Sequence, residues 1–247
     1  MALKTVLKYS PNFNSNKRSP KQIKFIIFHY TGMKSESAAI NKLTDIKSEV
    51  SSHYLIKING EIIKMVPDLY IAWHAGKSSW KNYKSLNQNS IGIEIINPGH
   101  KFGYKRFSKK QISSLLKLSK FLIKRYKISS KNILGHSDIT PERKKDPGEK
   151  FPWEYLSKNN IGLWHTLKKK KLMKNRNFKT NKIEKELFFN NLFKFGYSKK
   201  TPKDLSENRY LRDVTKAFQR RFRQELINGI IDRECLFISK NLIKTNN

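Results

Sequence analysis

The stretch HSDITPERKKDPG, residues 136–148, sets His136, Lys144 and Asp146 in a single loop that ends in Pro147 and Gly148. An imidazole, an ammonium and a carboxylate crowded together are costly to fold unless chemistry uses them. Two upstream residues extend the set: His29 ends the apolar run IKFIIFHYTG (23–32), and Glu94 lies inside SIGIEIINPG (90–99). Two imidazoles and one carboxylate form the donor set of a zinc site whose fourth position stays open, as catalytic zinc requires. On that reading His29, His136 and Asp146 hold the metal. Hydrolysis at such a centre needs a carboxylate to move a proton from water to the leaving group, and a cation to steady the oxyanion. Glu94 and Lys144 suit those two roles. The chain has no compact HExxH motif. Spacing alone therefore leaves a plainer reading open, with hydrogen-bonded structural histidines and Glu94 paired to a lysine.

The elements that must position these residues can be read from periodicity. Residues 23–30 form a continuous β-branched and aromatic run, the pattern of a buried strand. His29 then sits near the strand's C-terminal end, where α/β sheets present functional groups. Residues 37–47 have a short helical pattern, and HYLIKINGEIIKMV (53–66) reads as a hairpin in which Asn59-Gly60 supplies the positive φ angles of a tight primed turn. A strand at 90–96 carries Glu94. Over residues 109–127, Ile112, Leu115, Leu116, Leu122 and Tyr126 share one helix face, opened by a Ser108/Gln111 capping box. A strand at 132–135 leads into His136. This order predicts an α/β fold with a central mixed β-sheet flanked by helices.

Beyond it the texture changes. KKKK at 168–171 and the polar residues to Thr180 suit a solvated linker. Ile183, Leu187, Phe188, Leu192 and Phe195 then recur at helical spacing before Gly196, a C-cap. Leu211, Val214, Phe218 and Phe222 mark a second helix, Asn228-Gly229 a turn, and residues 232–242 a third, weaker helix. The expected organisation is a catalytic domain over 1–175 and a small C-terminal three-helix domain over 180–247.

Composition narrows the function. A 247-residue chain with 37% hydrophobic residues can bury a full core, and one cysteine excludes an internal disulfide or a cysteine-rich zinc site. The net charge of +33 invites a nucleic-acid partner. The excess is mostly lysine spread along the whole chain, however, and no nucleic-acid-binding motif accompanies it, so no specific nucleic acid is expected. An anionic polymer substrate fits a diffuse positive surface better. No run is long and apolar enough to span a bilayer, and the first residues lack the apolar stretch of a secretory leader. A cytoplasmic location is the expectation, with the periplasm or cell envelope as the alternative.

The blocks FIIFHYTG, SSHYLI, IAWHAGKSSW, NQNSIGIEIINPG and ILGHSDITPERKKDPGEKFPW together resemble the zinc N-acetylmuramoyl-L-alanine amidases of the type 2 family, which also includes the peptidoglycan recognition proteins. The likeness covers roughly residues 20–165 and looks most like the branch acting on 1,6-anhydro-muropeptides. It implies a Zn2+ cofactor on His29, His136 and Asp146, Glu94 as catalytic carboxylate and Lys144 as transition-state stabiliser. Peptidoglycan or muropeptide fragments become the expected partners, cut between N-acetylmuramic acid and L-alanine. His74 resembles a pocket-lining position, and Tyr30 and Arg143, which flank ligands, are candidate substrate contacts. Trp73 and Trp80 could stack on a sugar or fill a core. His53 is expected to be structural, and His100 and His165 solvent-facing. VTKAFQRRFR (214–223) with NGIID resembles a peptidoglycan-binding three-helix domain. The competing readings are a non-catalytic peptidoglycan sensor and a basic nucleic-acid-binding protein. Oligomeric state is left open by the sequence.

Overall fold

The protein is described by a computed structural model covering residues 3–246. Its centre is a six-stranded mixed sheet built from β1 (Val6–Leu7), β2 (Phe25–Tyr30), β3 (Tyr54–Ile56), β4 (Ile62–Lys64), β5 (Ser90–Ile95) and β6 (Ile133–Gly135), in the spatial order β1-β4-β3-β5-β2-β6. Only the β3/β4 hairpin is antiparallel; β3, β5, β2 and β6 run parallel. The helices are α1 (Glu36–Thr44), α2 (Lys109–Tyr126), the four-residue α3 (His136–Ile139), α4 (Trp153–Ser157), α5 (Lys169–Met173), α6 (Lys182–Phe195), α7 (Glu207–Phe222) and α8 (Arg233–Asn246). No helix among the described residues is long and apolar enough to cross a membrane.

The two-residue period of a strand assigns the faces. Ile26 and Phe28 pack with Ile91, Ile93 and Ile95 against Leu115, Leu118 and Leu122 of α2. Phe25 and Ile27 face the other way, into a core shared with Phe188, Leu192, Val214 and Phe218 of the tail helices. His29 is in phase with this second face, as are Ser90, Gly92 and Glu94. The continuous apolar runs thus hide an alternation whose second set turns polar toward the C-terminal strand ends.

Two local expectations change. The β3/β4 turn is a three-residue loop in which Gly60 N–H bonds the Lys57 carbonyl and Gly60 alone takes positive φ (+88°). Asn59 instead accepts the Glu61 N–H on its side-chain oxygen at 2.9 Å, which fixes a type I turn plus bulge in place of the primed turn. The lysine-rich segment is not wholly a solvated linker, because α5 forms there and buries Leu172 in the core of the tail. One apolar residue in a basic run suffices to dock a single helical turn.

The tail and the sheet meet at charge as well as at oil. Arg221 of α7 donates to Asp138 Oδ2 at 2.6 Å and to the Ile133 carbonyl at 3.1 Å, with its guanidinium 4.3 Å from the Trp153 ring centroid. Tyr197 O–H and Gly135 N–H complete the shell of Asp138, at 2.9 and 2.8 Å. Both charges are almost fully buried. Removing one partner strands the other, which costs about 3–5 kcal/mol. Arg221→Met is expected to lower stability by that order in urea denaturation, well beyond a surface Arg209→Met control.

Candidate active site and metal centre

Strand register does most of the assembly. His29 is the Cα partner of Glu94 across β2/β5, and Phe28 is that of Gly135 across β2/β6, so His136 emerges beside His29. Three adjacent parallel strands therefore end in His29, Glu94 and His136, at the edge where such sheets bind ligands. Asp146 joins them through a backbone tie, Ser137 N–H to the Asp146 carbonyl at 2.8 Å, while Tyr104 O–H holds the Pro147 carbonyl at 2.6 Å.

The donors of His29, His136 and Asp146 converge, all three residues being buried. His29 Nδ1 lies 3.0 Å from His136 Nδ1 and 3.1 Å from Asp146 Oδ2, and His136 Nδ1 lies 3.0 Å from the same oxygen. His136 Nε2 is 3.3 Å from the Ala75 carbonyl, which can only accept, so Nε2 carries a proton and Nδ1 is the nitrogen turned to His29 and Asp146. Three potential electron-pair donors in mutual contact can share a cation, a proton in the metal-free protein or a metal ion. Bonds of about 2.0–2.2 Å in a tetrahedral array separate ligands by about 3.3–3.6 Å, a few tenths of an ångström wider than the triangle observed. The donor set fits a divalent metal.

Electrostatics agree. Burial, reinforced by His136, lowers His29 to about 4, so its ring is neutral and able to bind metal near neutral pH. Burial alone pushes Asp146 upward, but His136 and His29 overcome it and hold the group well below the usual carboxylate range. Glu94 opens on the pocket, yet its Oε2 is enclosed and has no hydrogen-bond partner. Glu94, Lys144, His74, Arg143, Tyr30 and Trp73 share with His136 and Asp146 a cavity of about 570 Å³.

Residues 19–149 match the family described as N-acetylmuramoyl-L-alanine amidase (Amidase_2). The chain is 35% identical over 235 residues to N-acetylmuramoyl-L-alanine amidase AmiD of Escherichia coli K12, spanning 90% of this chain and 83% of that one. It belongs to the N-acetylmuramoyl-L-alanine amidase family. The 1,6-anhydro-N-acetylmuramyl-L-alanine amidase AmpD of Haemophilus influenzae is 33% identical over 60% of this chain and 88% of its own length. The fold matches E. coli AmiD, solved with the substrate anhydro-N-acetylmuramic acid-L-Ala-D-gamma-Glu-L-Lys, at TM-score 0.79 and 33% identity, covering 94% of this chain and 93% of that one. AmpDh3 of Pseudomonas aeruginosa matches at TM-score 0.78 and 29% identity, covering 96% and 97%.

Most of the residues singled out by sequence gather at this cavity, whereas Trp80 and His165 lie outside it. His74 is buried behind His29, its Nδ1 3.0 Å from His29 Nε2. Arg143 spends Nη2 on the Ala75 and Lys77 carbonyls at 3.2 and 3.0 Å, bracing the same carbonyl that His136 uses. Tyr30 O–H is 2.9 Å from His100 Nδ1, and His100 is exposed and 3.0 Å from Glu149. His165 is half-buried and stacked on Trp164, not fully solvent-facing. Trp80 is core, against Phe195 and Tyr197 of the tail, whereas Trp73 is exposed at the cavity. Sequence reasoning missed Ser90, Asp138 and Arg221. The polar alternation Ser90, Gly92, Glu94 within an isoleucine run was the available signal for the first.

Burial, reinforced by Asp146 and opposed by Lys144, pushes the Glu94 carboxyl up to about 8 from an ordinary 4.5. In metal-free protein the folded state keeps a proton that the unfolded chain releases, so Glu94 withdraws stability as pH rises through that window. Chelated wild type is therefore expected to lose stability relative to chelated Glu94→Gln between those limits, the gap levelling off above about 8. Urea midpoints on either side of the window check this; a pH-independent gap contradicts it.

Proposed function

We propose that this chain is a zinc-dependent N-acetylmuramoyl-L-alanine amidase. It hydrolyses the amide joining the lactyl group of N-acetylmuramic acid, or its 1,6-anhydro form, to L-alanine in peptidoglycan or muropeptides. The observation that carries this reading is the triangle of buried donors beside an enclosed carboxylate in an open cavity. Two imidazoles and one carboxylate suit zinc better than calcium or magnesium, which prefer oxygen ligands.

His29, His136 and Asp146 would hold the zinc ion, which would supply Lewis acidity toward water and the amide carbonyl. Glu94 takes the proton of the attacking water and returns it to the departing alanine nitrogen. Lys144 opposes the negative charge that develops on the carbonyl oxygen. A covalent intermediate on cysteine does not fit, since burial pushes the Cys235 thiol up to about 12, within the tail. Tyr30, Arg143 and His74 line the substrate cavity, with Trp73 offering a ring face to the sugar.

We assign residues 1–175 to the catalytic unit and 180–247 to a peptidoglycan-binding-like module. In support, similarity to AmiD and AmpDh3 extends over the tail, whereas a solved AmpD covers 64% of this chain.

Mass spectrometry of digested anhydro-muropeptides tests the reaction. Wild type should release L-alanine-headed peptides, lose the activity on chelation and regain it with zinc. Glu94→Ala should keep one zinc per chain while turnover falls by about 10²–10⁴ or more; near-normal turnover removes Glu94 from its role. Asp146→Ala should instead fail to retain zinc by elemental analysis, because it removes a direct ligand. Lys144→Ala should retain zinc and lose about 10²–10³ in kcat.

A further inference from the structure

His29 turns one ring nitrogen to the metal centre and the other to a chain of hydrogen bonds. His29 Nε2 lies 3.0 Å from His74 Nδ1, and the His74 ring packs edge-on between those of His29 and His53, at centroid distances of 5.1 and 5.6 Å. Beyond it, His74 Nε2 is 3.1 Å from Ser90 Oγ, and Ser90 donates its hydroxyl proton to the Leu86 carbonyl at 2.6 Å.

The direction of this chain follows from its far end. A carbonyl only accepts, so the single proton of Ser90 is spent on Leu86 and Oγ faces His74 as an acceptor. His74 must then carry its proton on Nε2. A second proton, on Nδ1, would make His29 Nε2 the acceptor and put the His29 proton on Nδ1, the atom that the metal-centre reading leaves free for the ion. His74 Nδ1 is therefore a lone pair that accepts from His29 Nε2–H. Only Nδ1 of His29 remains for the metal, and it is the atom pointing at His136 and Asp146.

The strand beneath is shaped for this ring. A Cβ on Gly92 would lie 2.5 Å from His74 Cγ. Glycine here clears space for the imidazole between Ser90 and Glu94, as a strand glycine does where another group approaches closely. His53 closes the opposite side, its Nδ1 accepting the Gly92 N–H at 3.0 Å.

We propose that His74 and Ser90 are positioning residues of the metal centre: the relay His29 → His74 → Ser90 → Leu86 fixes His29 in its Nε2–H form and aims Nδ1 at the ion. The inference rests on the metal-centre reading above and deepens it, since both residues act through His29. Outer partners of this kind commonly set metal affinity by 10–100-fold.

Zinc affinity of the full chain, measured by competition with a chromophoric chelator, tests the relay. His74→Ala and Ser90→Ala should each weaken zinc binding by about 10–100-fold while the site still fills at excess zinc. Gly92→Ala, which leaves every relay residue in place but displaces the His74 ring, should do the same. His74→Gln should recover most of the affinity, because its amide oxygen can accept from His29 and its NH2 can donate to Ser90. A role confined to packing would lower Tm without this rescue.

In ¹⁵N-histidine-labelled protein the proton of His74 should sit on Nε2, and a coupling should pass from His29 Nε2 to His74 Nδ1. Wild-type zinc affinity in folded Ser90→Ala, or a His74 proton on Nδ1, overturns the relay. Should His74→Ala fail to fold, Ser90→Ala and the ¹⁵N spectrum still decide. A wild type that takes up no zinc refutes the metal-centre reading, while the His74 tautomer continues to report on the relay.

Discussion

Three potential metal donors held in contact are the constraint around which this molecule is organised. His29 Nδ1, His136 Nδ1 and Asp146 Oδ2 sit 3.0–3.1 Å apart in a buried setting. Contacts this close between side chains distant in sequence must be held in place by the fold around them. Parallel strand pairing fixes two of them, since β2 and β6 are neighbours and their C-terminal ends coincide. The Ser137–Asp146 backbone bond fixes the third. A divalent cation seated among such donors would couple its own binding to the fold.

The surrounding structure reads as a set of braces on that triangle. His136 is steered by the Ala75 carbonyl, which Arg143 also grips. Helix α3, which begins at His136, is tied through Asp138 to Arg221 and Tyr197 of the tail. The C-terminal helices thus do more than follow the catalytic region in sequence, because their side chains finish its core and neutralise a carboxylate two residues from a candidate ligand. Glu94 is the exception. It is left without a hydrogen-bond partner for Oε2, and burial holds its proton to about 8 in the absence of metal. A buried carboxylate kept poised in this way suits a group whose task is to carry a proton.

Much of this was legible beforehand because it depends on local chemistry. The strand at 25–30, the capping box of Ser108 and Gln111, and the tail helix ending at Gly196 follow from periodicity and cap residues, which act over a few positions. The type I turn at Asn59 was missed because a side-chain hydrogen bond to Glu61 competes with the left-handed conformation that an Asn-Gly pair suggests. The helix within the lysine run was missed because its single buried residue, Leu172, gives no periodic signal.

Residue type and family likeness pointed to the chemistry: two histidines and an aspartate as candidate metal donors, a carboxylate and a lysine as candidates for proton and charge. Register and loop closure were left to the tertiary structure. Only there does His29 stand opposite Glu94, His74 lie against His29, and Arg221 reach Asp138 across 83 residues of chain. The physical reason is one of range. Side-chain chemistry and local propensity are written residue by residue, whereas the direction of a hydrogen bond between distant side chains depends on which backbones the sheet and the tail bring within 3 Å, about the length of such a bond.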